Sequence, residues 1–200
     1  MKYQKKQQTI VGIDYSLTSP AVCVTQDFKF ENSYFYYLTN KKKYIGNMRK
    51  NIIGYEHKLW TDPIERFTQI SDWVINLLTH ITPATPIDLT GPYKTFIEGY
   101  SFGSKGQAVF QIAENCGILK YRLQLSPSIL YDTVVPSVVK KFASGKGNAD
   151  KQLMYDSFKE HTKQDLIKLF DMGKLNNPVT DIIDSYYIAK VCYENIESKK

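Results

Sequence analysis

The chain has 200 residues, enough for one domain with its own hydrophobic core. Its 26 basic and 20 acidic side chains give a formal net charge of +6, which favours a polyanionic partner. No apolar run approaches the roughly 18 residues of a membrane span and no signal-peptide pattern is seen, so the sequence predicts no membrane contact. Three scattered cysteines exclude a zinc-type cysteine pair and favour a reducing cytoplasm.

The first part of the chain predicts three strands, at residues 8–14, 20–27 and 32–38. Their spacing is typical of hairpins, so we expect an antiparallel meander. The first strand, Thr9-Ile10-Val11-Gly12-Ile13-Asp14, is apolar and ends on an acid.

A basic and aromatic segment follows at about residues 40–60 and shows no clear period. Its basic residues are Lys41, Lys42, Lys43, Arg49, Lys50 and Lys58. We predict a partly irregular basic insert inside a single domain that spans residues 1–200.

The remainder of the chain alternates between helical and strand patterns. Asp62-Pro63-Ile64-Glu65 is typical of a helix start, with Asp62 as the cap and Glu65 completing a capping box. A fourth strand is predicted at 94–98, a helix up to about residue 125, a fifth strand at 128–135, and helices from about 136, 149, 164 and 178. This order predicts an α/β fold with a mixed five-stranded sheet, an antiparallel meander followed by parallel strands, flanked by helices.

Four acidic residues stand at places that favour a metal site. Asp14 and Glu98 each end an apolar strand, and Asp181 and Asp184 lie three apart on one face of the last helix. Clustered carboxylates repel one another, whereas Mg²⁺ prefers carboxylate oxygens and would stabilise them. The alternatives are a strand-end turn for Asp14 and Glu98, and compensation of the helix dipole for Asp181.

Three motifs, taken in order, resemble those of the RuvC-type Holliday-junction resolvases of the ribonuclease-H-like superfamily. They are Val11-Gly12-Ile13-Asp14-Tyr15-Ser16, Phe96-Ile97-Glu98, and the helix Thr180-Asp181-Ile182-Ile183-Asp184-Ser185-Tyr186-Tyr187-Ile188-Ala189. The resemblance covers about residues 8–38 and 94–197 and skips the basic insert. It implies a ribonuclease-H-like fold and a metal-dependent endonuclease that resolves four-way junctions by paired phosphodiester hydrolysis.

The resemblance also implies two Mg²⁺ ions per active site, with Mn²⁺ able to substitute. Asp14 would bridge the ions, Glu98 and Asp184 would each complete one side, and Asp181 would ligate directly or through water. Two ions can generate the nucleophile from water and stabilise the leaving oxygen.

Several positions are expected to contact DNA. The resemblance assigns Lys151 a catalytic place beside the scissile phosphate, and one aromatic after Glu98 a stacking role on opened bases. The full expected set is Lys140, Lys141, Lys146, Lys151, Lys105, Tyr100, Phe102, Lys41, Lys42 and Lys43. Tyr100 and Phe102 both fit the stacking role, and each lysine could equally belong to a solvated surface.

Resolvases of this family are homodimers, so the resemblance implies a dimer formed through the helix at about 105–125. Gly117 would permit close approach there. The apolar side of that helix could equally be part of the intramolecular core.

Three other functions stay open at this point. One is an actin-like or sugar-kinase phosphate site, which the short chain disfavours. Another is a non-catalytic DNA-binding module on the same fold. The third is a nuclease for three-way junctions, flaps or forks, as expected of a phage-encoded debranching enzyme in a bacterial cytoplasm; the basic insert favours this third reading.

Overall fold

The computed structural model describes residues 8–80, 93–99, 108–126 and 129–197. Within these ranges the strands are β1 (Ile10–Asp14), β2 (Ala21–Thr25), β3 (Tyr34–Thr39), β4 (Gly46–Arg49), β5 (Ile52–Glu56), β6 (Tyr93–Glu98) and β7 (Ile129–Val134). The helices are α1 (Pro63–His80), α2 (Ala108–Gln124), α3 (Pro136–Ser144), α4 (Lys151–Thr162), α5 (Leu166–Leu169) and α6 (Val179–Glu197). None of the helices in these ranges is long and apolar enough to cross a membrane.

The strands form one mixed sheet in the order β4-β5-β3-β2-β1-β6-β7. β1, β2 and β3 pair antiparallel, and β6 and β7 run parallel to β1. The α/β class, the opening meander and the parallel strands that follow are therefore confirmed.

The expected number of five strands is wrong, because the basic insert adds two more in the described residues. β4 and β5 form a hairpin, and β5 pairs parallel with β3. Gly54 makes this pairing possible, since a side chain there would overlap with the carbonyl oxygen of Tyr44 and the ring of Tyr37. Asn51 holds the hairpin by donating to the carbonyl oxygens of Phe30 (2.7 Å) and Ser33 (2.8 Å). Contacts of this kind are tertiary and cannot be read from the local sequence. The strand β4 (Gly-Asn-Met-Arg) also lacks the alternation of apolar residues that would predict a strand.

The sheet separates two hydrophobic clusters, and strand alternation decides which residues enter each. Ile10 packs on the side of α3–α6, whereas Val11 and Ile13 pack on the side of α1 and α2. Side chains alternate, so Gly12 and Asp14 belong to the α6 side. The same alternation in β6 places Phe96 and Glu98 on that side and Ile97 on the other.

The last helix, α6, packs directly on the backbone of β1. A side chain at Gly12 would overlap with the carbonyl oxygen of Ser185 and the amide of Ala189, and would lie 2.8 Å from Cβ of Ala189. This close approach brings the acids of α6 to the end of β1 that carries Asp14.

We expect Gly12→Ala to destabilise the protein by about 3 kcal/mol or more, because overpacking against backbone cannot be relieved by a rotamer change. Urea denaturation would measure the loss. Gly173→Ala is the matched control, since a side chain there meets nothing within 4 Å. Equal unfolding midpoints for the two variants would contradict the packing of α6 on β1.

Candidate active site

The four acids expected from the sequence meet at the end of the sheet where the parallel strands β1 and β6 finish. Asp14 and Glu98 lie at the ends of the parallel strands β1 and β6, and Asp181 and Asp184 lie in the first turns of α6. Asp14 and Asp181 are only 7% and 5% exposed. Burial raises the pKa of Asp14 well above its ordinary value, and the charges of Asp181, Glu98 and Asp184 raise it further.

The other three acids also have raised pKa values, with burial as the first cause in each. The pKa of Glu98 is about 7, with Asp184 as its acidic neighbour, and the pKa of Asp181 is also about 7. The pKa of Asp184 is about 6, because the nearby charges of Lys151 and Lys140 oppose the effect of burial. Each carboxylate therefore lies within electrostatic reach of another, as the sequence motifs predicted.

The donor set fits a hard divalent cation, although the coordination shell is not formed here. In the ranges given above, no three His, Cys, Asp or Glu side chains are arranged to hold a metal ion. Oδ2 of Asp181 is nevertheless buried and has no hydrogen-bond partner within the part of the chain that the structure describes. A buried unpaired carboxylate oxygen among three further acids is a group that a cation would satisfy.

Two lysines border these acids. Lys140 lies on α3, and Lys151 is the first residue of α4, whose cap Asp150 accepts a 2.8 Å hydrogen bond from the amide of Leu153. Both lysines line a groove of about 230 Å³ together with Glu98 and Asp184. Lys141 and Lys146 are exposed and do not line that groove.

A second groove of about 340 Å³ lies on the other side of Glu98. It runs from Asp14 past residues 15–18 to Ile112 and Cys116 of α2, and it shares Glu98 and Pro136 with the first groove. The acids are thus flanked by open space on both sides, as a site for an extended substrate requires.

The loop that follows Asp14, residues 15–19, is held by two side chains that sequence analysis did not assign. Nε2 of His57 lies 2.8 Å from the carbonyl oxygen of Thr18. Arg66 donates to the carbonyl oxygen of Leu17 (2.5 Å) and stacks over the ring of Trp60, with its guanidinium carbon 4.5 Å from the ring centroid. No sequence motif marks these residues, because the contacts join segments about 40–50 positions apart.

A hydrogen-bond network connects the same loop to α6. The side chain of Asn177 donates to Oγ of Ser19, and Thr180 donates to Oδ1 of Asn177 (2.7 Å). Ser19 and Thr180 also hydrogen-bond to Asp181, and both bonds lower its pKa against the effect of burial. Asp181 is therefore oriented by partners on both segments.

The lysine cluster of the insert is divided in the structure. Lys41 donates to the carbonyl oxygen of Asn177 (2.9 Å), so it ties the insert to the segment before α6. Lys42 and Lys43 are exposed, and Nζ of Lys43 lies 4.6 Å from the centroid of the Tyr44 ring. All three lysines are exposed, and Lys41 differs from the other two in its contact with Asn177.

Three expected DNA contacts, Tyr100, Phe102 and Lys105, lie outside the described residues. The expected partner helix is described from Ala108 onward, as α2. Its apolar side, which includes Cys116, Leu119 and Leu123, is buried in the core. Gly117 is exposed on another side, as are Phe110, Tyr121 and Leu125.

Protein-family models and curated proteins show no match to this chain. Solved structures do match it. RuvC of Thermus thermophilus is 14% identical with a TM-score of 0.55, covering 95% of this chain and 97% of that one. T. thermophilus RuvC in complex with a Holliday junction substrate is 14% identical with a TM-score of 0.58, covering 96% and 97%.

The yeast mitochondrial Holliday junction resolvase Ydc2 is also 14% identical, with a TM-score of 0.52 over 92% of this chain and 76% of that one. These matches extend over nearly the whole chain, so the basic insert is accommodated within a shared architecture. The mixed sheet, its flanking helices and these neighbours agree with the resemblance found in the sequence. The chain has the α/β, ribonuclease-H-like fold of the RuvC-type Holliday-junction resolvases.

Proposed function

We propose that this protein is a metal-dependent endonuclease that cuts branched DNA, with four-way junctions as its preferred substrate. The observation that carries the proposal is the convergence of Asp14, Glu98, Asp181 and Asp184, each with a raised pKa, at one edge of the sheet. The neighbours with the same fold are Holliday junction resolvases, and one of them is bound to its junction. The net charge of +6 suits a DNA partner.

The four acids would hold two Mg²⁺ ions, or Mn²⁺ in their place. When bound, the ions would supply a nucleophile from water at neutral pH and stabilise the leaving oxygen. Asp14 would lie between the two sides of the site, since it interacts with all three other acids. Ser19 and Thr180 orient Asp181, and Lys151 and Lys140, which border the acids, would hold the non-bridging oxygens of the scissile phosphate.

The proposed DNA surface extends from this site. Lys141 and Lys146 are exposed next to the first groove, and Lys42 and Lys43 are exposed on the insert. Tyr100, Phe102 and Lys105 follow Glu98 in sequence and complete the proposed set. We propose a homodimer through α2, supported by the exposed Phe110 (71%), Tyr121 (66%) and Leu125 (64%).

A broader branch specificity is the second candidate, favoured by the hairpin that enlarges the sheet. β4 and β5 add two strands and a net basic surface next to the loop that follows Asp14. A nuclease for three-way junctions, flaps and forks could use this surface. A reducing cytoplasm, such as that of a phage-infected bacterium, is the proposed setting, supported by three buried and unbonded cysteines.

We expect Asp14→Asn to lower cleavage by at least about 10³-fold, or roughly 4 kcal/mol, while junction binding persists. The neutral amide removes a charged ligand but leaves the lysine surface intact. Cleavage of four-way, three-way, flap and linear duplex DNA with Mg²⁺ would measure the loss and rank the substrates. Full activity of the variant would contradict the assignment of Asp14.

Without divalent cations, we expect stability to fall as the pH rises from about 4 to 7. Unfolded carboxyls titrate near 4, whereas the folded pKa values are about 7 for Glu98, about 7 for Asp181 and about 6 for Asp184. The protonated forms are therefore favoured in the fold, and their contribution is lost as the pH rises through the folded values.

Mg²⁺ should reverse this decline, and its affinity should rise over the same pH window because binding displaces protons. Chemical denaturation between pH 4.5 and 8, in EDTA and in Mg²⁺, would test both statements. Asp184→Asn should show a shallower decline. A stabilisation by Mg²⁺ that is the same at pH 5 and pH 8 would argue against a carboxylate site.

We expect Lys151→Ala to lower turnover by about 10²-fold with little change in affinity, because Lys151 borders the acids.

The double variant Lys42→Ala/Lys43→Ala should instead weaken binding and reduce the slope of log affinity against log salt by about two. Single-turnover kinetics and salt titrations would separate these effects. A steeper loss of affinity for Lys151→Ala than for the double variant would reverse the two assignments.

A further inference from the structure

A pocket of about 400 Å³ lies between the insert and α1, apart from the grooves beside the acids. It exists because β5 extends the sheet beyond the part that α1 covers. Tyr36 of β3, Tyr55 of β5 and Trp73 of α1 form its aromatic walls. The rings of Tyr36 and Tyr55 lie 6.4 Å apart, and those of Tyr55 and Trp73 lie 6.2 Å apart.

Polar groups accompany these rings. The side chains of Gln69 and Asn76 line the pocket from α1, and Lys58 lines it from the segment after β5. Two acidic residues, Glu56 and Asp72, also line it. Aromatic surfaces for stacking, the Asn76 amide and the side-chain oxygen of Gln69 for edge hydrogen bonds, and a lysine for phosphate are together groups that recognise a nucleotide.

The pocket and the acids lie at the same end of the strands but on opposite faces of the sheet, since Tyr36 and Leu38 belong to the α1 side whereas Asp14 belongs to the α6 side. Asp14 pairs with Ala21, Ala21 with Tyr37, and Tyr37 with Gly54, so Asp14 and Gly54 are level across three strand intervals. At about 4.8 Å per interval this separation is about 14 Å. A DNA strand that also passes over the end of the sheet to the α1 face, at about 3.4 Å per nucleotide, needs at least about four nucleotides for this path.

His57 connects the pocket to the loop beside the acids. Its ring lines the pocket, and its Nε2 contacts Thr18 in the loop that follows Asp14. The insert that builds the pocket carries six basic residues and one acidic residue between positions 40 and 60. The insert as a whole therefore carries a net positive charge, which suits a DNA strand.

We propose that this pocket binds an unpaired nucleobase of the DNA substrate, at least about four nucleotides from the cleaved phosphate. The inference rests on the proposed nuclease function and adds a determinant of its substrate choice. A base must leave its stack to enter the pocket, which costs a few kcal/mol in a duplex and least where the base is already unpaired. The pocket therefore selects branches with single-stranded character over linear duplex.

Tryptophan fluorescence can report on the pocket, since Trp60 and Trp73 are the two tryptophans of the chain. In an Asp14→Asn/Trp60→Phe protein, Trp73 is the single reporter and cleavage does not interfere. The probes are a branched DNA with one single-stranded arm and the same DNA with abasic sites throughout that arm. We expect the arm with bases to quench Trp73 emission and the abasic arm to leave it unchanged.

Tyr55→Ala supplies the second measurement, because Tyr55 is 37% exposed and its loss removes one wall. We expect about a fivefold to hundredfold loss of affinity for the arm with bases, and no loss for the abasic arm. Leu59→Ala is the matched control, since Leu59 is 94% exposed in the same segment and does not line the pocket. Thermal unfolding of each variant would verify the fold.

The outcomes separate the two proposals. If the protein with Asp14 cuts branched DNA while Trp73 emission responds equally to both arms, or Tyr55→Ala binds both arms as Leu59→Ala does, the base pocket is overturned and the nuclease stands. If no branched DNA is bound or cut, the proposed function fails and the pocket proposal fails with it.

Discussion

The main physical constraint on this structure is the burial of four acidic side chains close together, two of them on α6 and two at the strand ends beneath it. Gly12 lets this helix approach β1 at backbone distance, and that approach places Asp181 and Asp184 beside Asp14 and Glu98. Burial raises the pKa of each acid, and neighbouring carboxylates raise it further for Asp14, Glu98 and Asp181, so the fold holds an arrangement that is unfavourable without compensation. A protein retains such strain where function uses it, and cations that bridge carboxylates would relieve it.

The insert has two structural roles that could not be predicted from its amino-acid composition. It extends the sheet by β4 and β5, and it supports the acids through contacts with the loop after Asp14 and the segment before α6. His57 reaches Thr18, and Lys41 reaches Asn177. The insert is thus part of the architecture around the site as well as a basic surface. This explains how an added segment fits a fold that matches the resolvases over nearly the whole chain.

The four acids could be located from the sequence because each ends or opens a regular element with strong periodicity. The apolar runs before Asp14 and Glu98 define strands, and the pair Asp181 and Asp184 opens an apolar helix. The residues that hold the loop after Asp14 could not be predicted from the sequence. His57, Arg66 and Asn177 carry no motif, and their partners lie 39, 49 and 158 positions away.

The sequence by itself determined the α/β class, the meander with its parallel continuation, and the four acids, because local periodicity and element order suffice for these features. Tertiary structure alone decided three other features. These are the extension of the sheet from five strands to seven, the contact with Asn177 that distinguishes Lys41 from Lys42 and Lys43, and the aromatic pocket. β5 is a strand because β3 offers it a partner and Gly54 allows close contact with Tyr44. Pairings of this kind depend on the neighbour that the fold supplies, and no local pattern contains that information.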